Sequence, residues 1–263
     1  TDGSGNTYDE TYTIGVNDQR EQSNTFEAEV MSHGPVAYWG DSLTDEVGGV
    51  VATLTNVDPG AAPFSNITGA SSGYDGSWDY TTIPDDPAWQ LTDGTIQLWV
   101  NIHDSDSDGS ITDEGTQTIL SRDATGTVDG HFFIDAVGDD LQVRIQGTNG
   151  GSLTATDVLS PGTFHQINVT FGSNGLEIWV DGTRVANDPS ITKGIDGNNE
   201  PFVLGADNSS STPGGTLDDL GYFLDGDIAQ FAIFDSQLDS TAINDIYDAG
   251  VNGNDSSAPG SQT

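Results

Sequence analysis

Residues 164–186 read Phe-His-Gln-Ile-Asn-Val-Thr-Phe-Gly-Ser-Asn-Gly-Leu-Glu-Ile-Trp-Val-Asp-Gly-Thr-Arg-Val-Ala, and this stretch decides the fold class. A strand over 164–171 meets a second over 176–180 across Gly172-Ser173-Asn174-Gly175. Asp181-Gly182 then turns the second strand into Thr183-Arg184-Val185-Ala186. Asn-Gly and Asp-Gly supply the positive φ that tight hairpins need, so the segment is a double hairpin. Side chains alternate across a strand, so Leu176, Ile178 and Val180 share one face. Trp179 points the other way, beside Glu177 and Asp181.

Further strands lie on either side. Thr95–Val100, Gln117–Ser121, His131–Asp135, Leu141–Ile145, Phe202–Leu204 and Ile228–Phe234 read as strands, with a Gly138-Asp139-Asp140 turn between two of them. One helix is expected from Ser240 to Tyr247. Asp239 or Ser240 can cap it, and Ile243, Ile246 and Tyr247 form its apolar face. Many short strands with closely spaced turn signals predict an all-β, two-sheet antiparallel jelly-roll β-sandwich with one short C-terminal helix.

Composition narrows the function. Asp+Glu number 42 against 5 Lys+Arg, a net charge of −37. Such a surface repels phosphate backbones and anionic headgroups, which disfavours nucleic-acid and membrane partners. There is no Cys, which removes disulfides, thiolate zinc sites and thiol nucleophiles. The four His stand at no ligand-like spacing, so a histidine-built zinc site is not expected. Of the acids, 34 are Asp and 8 are Glu. Asp favours turns and caps, so most of the charge belongs in loops, as in a protein from salty water.

Residues 1–30 read as the end of a preceding repeat or a linker strand, 31–250 as the sandwich, and 251–263 as a linker tail. Tyr8, Tyr12, Ile14 and Val16 alternate with mainly polar residues, and 19–33 are polar enough to link or to pack as an added strand. The chain begins at Thr1 with no apolar signal segment, as an excerpt or processed form would.

The order of motifs resembles a known family. Val36-Ala37-Tyr38-Trp39 followed by Asp45-Glu46 and Gly48 resembles its opening strand and turn. Trp78-Asp79-Tyr80 with Ile83-Pro84, Gly94 to Val100, and Thr118 to Ser121 follow in family order. So do Phe164 to Thr170, Leu176 to Gly182, Leu204-Gly205, Gly226-Asp227-Ile228, and Phe234 to Leu238 leading into the helix. Over 36–248 the set resembles a laminin-G-like domain of the concanavalin A-like lectin/glucanase superfamily. Residues 1–18 resemble the closing strand of cadherin-like or immunoglobulin-like repeats in large bacterial surface proteins. The resemblance implies a jelly roll, with Trp39, Trp99 and Trp179 packing between or beside the sheets. It leaves function open, since such domains bind sugars, bind proteins or cleave glycans.

The sharpest local signal is Asp104-Ser105-Asp106-Ser107-Asp108-Gly109-Ser110-Ile111-Thr112-Asp113-Glu114. Acids at alternate positions can converge on one hard cation, Gly109 permits the turn, and the Ser110 carbonyl adds an oxygen. Three like charges within five residues repel unless something offsets them. The segment resembles the calcium loop of EF-hands and dockerins, but Gly115 stands at the closing position, one residue after Glu114. The expected Ca²⁺ ligands are Asp104, Asp106, Asp108 and Ser110, with Asp113 or Glu114 closing. The resemblance implies a second site near the last strand, with Asp207, Asp225 and Asp227 as candidates. Ala229 and Gln230 stand there in place of the family's Asp-Glu pair.

Glycoside hydrolysis needs two facing carboxyls. The Glu-x-Asp-x-x-Glu strand of related glucanases is missing. Glu177 and Asp181 share a strand face, but Asp181 is accounted for by its turn. Aromatic rings stack on sugars, and Trp78, Tyr80, Trp89 and Tyr222 lie in loops or at strand edges, Trp89 being the one most expected to be exposed. The expectation is a non-catalytic, Ca²⁺-binding, lectin-like module of a secreted or cell-surface adhesin-type protein. Its partners would be a carbohydrate or another surface ligand and neighbouring repeats of the same chain. The alternatives are a Ca²⁺-stiffened spacer without ligand and a diverged glycan-cleaving enzyme.

Overall fold

The computed structural model describes residues 19–64, 67, 71–105, 107–112, 114–126, 128–214 and 217–252, with side chains from Phe26 onward. The expected strand over residues 8–16 therefore lies outside the described residues. Chain order is α1 (Gln19–Ser32), β1 (Ala37–Trp39), β2 (Thr53–Thr55), β3 (Asp58–Pro59), β4 (Ser72–Asp75), β5 (Tyr80–Ile83) and β6 (Gly94–Ile102). Then come β7 (Thr116–Arg122), β8 (Phe132–Val137), β9 (Asp140–Ile145), β10 (Gly151–Ala155), β11 (Phe164–Phe171) and β12 (Leu176–Val180). The chain continues with β13 (Thr183–Asp188), β14 (Phe202–Leu204), β15 (Asp225–Phe234) and α2 (Ser240–Asn252).

The strands form two antiparallel sheets. One runs β13-β12-β11-β6-β15-β4-β3, with β1 also paired to β15, and the other runs β10-β9-β8-β7-β14-β5-β2. This is the jelly-roll sandwich expected. The double hairpin forms as read: Ile167 pairs with Val180, and Val180 with Thr183. Asp181 and Gly182 have φ of 51° and 74°, as a type I′ turn requires.

Alternation sorts the first sheet's residues. Ile96, Leu98 and Val100 of β6, Ile167, Val169 and Phe171 of β11, and Leu176 and Ile178 of β12 join the core between the sheets. Trp99, Gln97, Gln166 and Asn168 point to the outer face, yet they too are buried. Trp99 explains why, since it is enclosed by the rings of Phe26, Phe64 and Tyr247 at centroid distances of 6.2, 5.1 and 5.9 Å.

Two of those rings come from helices. In α2, Asp239 caps the first turn by accepting from the amides of Thr241 and Ala242. Ile243 and Ile246 are buried beneath it. The helix extends to Asn252, so Val251 and Asn252 are not tail; residues 253–263 lie outside the described residues. The larger correction concerns residues 19–33. They were expected to link or to add a strand, and they form α1 instead. Phe26 and Val30 stand four apart, so a helix turns both onto the sheet beside Trp99. A strand would place them on one face too far apart to share that pocket. Phe26 and Val30 therefore pack as part of the sandwich.

Asp45 anchors the opening motif. Its carboxylate accepts from the amides of Tyr38, Val47 and Gly48, and it is 2% exposed. Trp99→Ala should cost about 3–5 kcal/mol, because it empties the pocket on which both helices close. Urea unfolding of wild type and variant measures this, and α1 should become the first segment cut in limited proteolysis.

Candidate functional site

Four connections meet at one end of the sandwich: the β4–β5 turn, residues 103–115, the β8–β9 turn, and residues 205–224. Backbone hydrogen bonds stitch them together. Gly76 donates to Leu224, His103 to Asp225, Thr118 to Tyr222 and Gly138 to Gly115, at 2.8–2.9 Å. The Asp-rich loop between β6 and β7 also packs on the β8–β9 turn, where a Cβ at Gly138 would lie 2.9 Å from the Thr112 Cα.

Within that loop, Asp104 accepts from the amides of Ser107 and Gly109 at 2.7 and 2.6 Å, and Asp108 accepts from Ser110 at 2.8 Å. Glu114 reaches back to the Ser105 amide at 2.8 Å and closes the ring. Ile111 is buried beneath it, and Ser107 and Gly109 adopt φ of 63° and 90°. Among its described residues, the loop is thus braced by its own hydrogen bonds while most of its side chains stay open to solvent. Asp106 and Asp113 lie outside the described residues. Among the described residues, Asp104, Asp108 and Glu114 do not bring three carboxylates within 4.8 Å of one another. Asp139, Asp140 and Asp157 do so on the adjoining rim. Residues 138–140 read only as a turn in sequence, because Asp157 joins them through the β9–β10 pairing. Both groups offer carboxylate oxygens, the donor set of a hard cation such as Ca²⁺.

The second expected acid set divides. Asp225 and Asp227 stand two apart on β15 and face the same way, but the His103 ring lies between them. Its Nδ1 is 3.0 Å from Asp225 and its Nε2 is 3.0 Å from Asp227. Asp227 also accepts from the Asn101 amide and from the backbone of Ala61. Asp207 holds Ser209 instead. An imidazole fills the place assigned to a cation, and Asp207 belongs to a different turn. Gln230, where the resemblance implied an acid, is buried in a bulge of β15 at φ 58° and meets the Tyr38 hydroxyl.

The aromatic candidates also separate. Trp78 is 62% exposed and Tyr222 59%, and they sit at φ of 63° and 50°. Bulky residues rarely take such backbone, and strain of this kind persists where the surrounding structure enforces it. The Trp78 ring is braced by Phe223 at 5.2 Å. Tyr80 packs against Val203, Ala206 and Leu220. Trp89 overturns its expectation: it is 1% exposed, between Trp39 and Phe202. A 3-10 turn over Pro87–Trp89 folds the ring inward. Buried Arg122 holds that fold by donating to the carbonyls of Trp89, Ile195, Asn198 and Glu200.

Other acids are engaged in structure. Glu177 accepts from the Trp179 indole and Arg184, and Asp181 from the Gln166 amide, with the His165 ring 2.6 Å away. Between the sheets, beside β2 and β4, lies an apolar cavity of about 340 Å³, lined by Trp39, Tyr74, Ile83, Leu204 and Phe231 with Asp41 and Gln230. Sequence periodicity could not show it, because strands of both sheets contribute its walls.

Asp135, on the outer face of the second sheet, receives the Thr118 hydroxyl at 2.7 Å. Burial pushes its carboxyl up to about 7, and nearby Asp207 adds to this. A raised carboxyl keeps a proton that the unfolded chain releases, so its contribution to stability falls as pH rises from about 4 to about 7. Asp135→Asn should therefore raise the melting temperature at pH 8 and leave it nearly unchanged at pH 4, as paired thermal melts would show.

A sequence profile of the concanavalin A-like lectin/glucanases superfamily matches residues 75–244. No curated protein sequence matches the chain. Among solved structures, the fold is similar to the binding domain of botulinum neurotoxin serotype D, with TM-score 0.58 and 14% identity over 84% of this chain and 52% of that one. It is similar to the binding domain of Paraclostridial Mosquitocidal Protein 1, with TM-score 0.60 and 12% identity over 82% and 52%. It is also similar to domain 4 of the extracellular GH43 arabinanase AbnA from Geobacillus stearothermophilus, in complex with arabinotriose, with TM-score 0.56 and 14% identity over 81% and 98%. The chain thus spans about half the length of the toxin binding domains and nearly all of the arabinanase domain. With the sandwich, its ordered strand motifs and the profile match in agreement, the chain belongs to the concanavalin A-like lectin/glucanase superfamily.

Proposed function

We propose that this chain is a non-catalytic carbohydrate-binding module, and that the sugar sits on the rim between Trp78, Tyr222 and the Asp104–Glu114 loop. The observation that carries the reading is the pair of aromatic side chains, each more than half exposed, on enforced positive-φ backbone beside an ordered acidic ring. Aromatic faces stack on pyranose or furanose rings, and a Ca²⁺ held by the ring can take sugar hydroxyls as further oxygen ligands. The relatives lend support: one similar domain was solved with arabinotriose, and others are described as binding domains. A secreted or cell-surface setting, and an adhesin-type protein with neighbouring repeats, accord with that company.

The non-catalytic part rests on where the acids are spent. Glu177 and Asp181 hold neighbouring side chains and amides, and Asp135 is buried on β8 against the Thr118 hydroxyl. A spacer reading is favoured by one observation, that Asp104 and Glu114 already brace their own loop.

A glycan array with Ca²⁺ and with chelator tests the proposal. Trp78→Ala and Tyr222→Ala should each lose signal on the glycans that wild type binds, and chelator should abolish it. Binding unaffected by both substitutions would sink the rim reading. Calorimetry should show one Ca²⁺ site lost in Asp106→Ala, and chelator should lower the wild-type melting temperature by mass action. A Ca²⁺-raised melting temperature with no glycan bound would favour the spacer.

A further inference from the structure

Far from the rim loop in sequence, α1 and α2 lie against each other on the outer face of the first sheet. Their seam gathers an unexpected set of groups. Glu29, in the last turn of α1, and His33, the first residue after the helix, stand four apart, with the His33 Nε2 2.9 Å from the Glu29 Oε1. Asp245 of α2 approaches them so that one ligand atom from each of the three residues lies within 4.8 Å of the others. Glu29 and His33 are partly buried, and Asp245 is open to solvent.

Charge makes the arrangement costly without a cation. The side of α1 away from α2 places Glu27 by Glu46, whose carboxyl is pushed up to about 7 by partial burial and then by Glu27. The seam then adds Glu29 opposite Asp245. Among the described side chains, Arg122, Arg144, Arg184 and Lys193 each pair with an acid elsewhere, so none of these four offsets the seam. In a chain of net charge −37, two acidic helices are thus pressed together.

We infer that Glu29, His33 and Asp245 form a binding site for a zinc-class divalent ion that clasps α1 to α2. One imidazole nitrogen with two carboxylates and a water is a four-coordinate N/O set suited to Zn²⁺ or Co²⁺. Ca²⁺ prefers six to eight oxygens, so this site and the rim loop select different ions. Residues four apart at a helix end present their ligand atoms to one point, and small rotations about the Glu29 and Asp245 side chains bring the donors onto a common ion. The consequence is metal-dependent docking of the N-terminal helix.

The whole chain, freed of metal and then saturated with Ca²⁺, would be titrated with Zn²⁺ by calorimetry and with Co²⁺ by visible absorption. Wild type should show one stoichiometric Zn²⁺ site and the intense visible bands of four-coordinate Co²⁺. His33→Ala, just after α1, and Asp245→Asn, on α2, should each lose both. Zn²⁺ should also protect α1 from proteolysis in wild type alone, and circular dichroism of the metal-free variants checks that they fold. No Zn²⁺ site in wild type, or isotherms shared by wild type and both variants, would overturn the inference and assign any zinc to the acidic surface at large.

Discussion

Strand β6 is denied water on both faces along its nine residues, and the architecture follows from covering it twice. One face is ordinary core, with Ile96, Leu98 and Val100 meeting the second sheet. The other carries Trp99, which alternation forces outward. A tryptophan there must be buried by something outside the sandwich. Phe26 of α1, Phe64 and Tyr247 of α2 supply that cover. The helices are therefore the second half of the packing around β6, and neither is an appendage.

With that face closed, the exposed rings of Trp78 and Tyr222 stand at the loop end. The helices occupy the outer surface of the first sheet, and Ala206, Leu217, Leu220 and Phe223 pack over Val203 and Tyr80 of the second. Four connections remain at the rim, held by backbone hydrogen bonds between them. A scaffold of this kind fixes loops that would otherwise be mobile, which suits it to recognition. Acidic groups and exposed rings coincide there because strand ends bring together residues from 78 to 222.

The charge also resolves into separate roles. Asp45 and Asp239 cap or brace turns. Asp225 and Asp227 hold His103, and buried Asp123 joins buried His131 to half-buried Arg144. Other carboxylates gather on the rim, as Asp139, Asp140 and Asp157, and at the helix seam, as Glu29 and Asp245.

Local pattern by itself determined much of this protein. The Asp181-Gly182 hairpin, the strand alternation and the Asp239 cap are set by backbone geometry and side-chain period, which act over a few residues. The turn at Gly109 in the Asp-rich loop was legible for the same reason, and its φ is 90°. Tertiary structure alone decided what depends on distant partners. Trp89 turned inward because Arg122 and Phe202 wait there, while Trp78 stayed out. Residues 19–32 became a helix because Trp99 needed cover. His103 came between Asp225 and Asp227, and Asp245 reached Glu29 and His33, across gaps no spacing rule spans. A short-range period can say which way a side chain points, but only the packed fold says what it meets there.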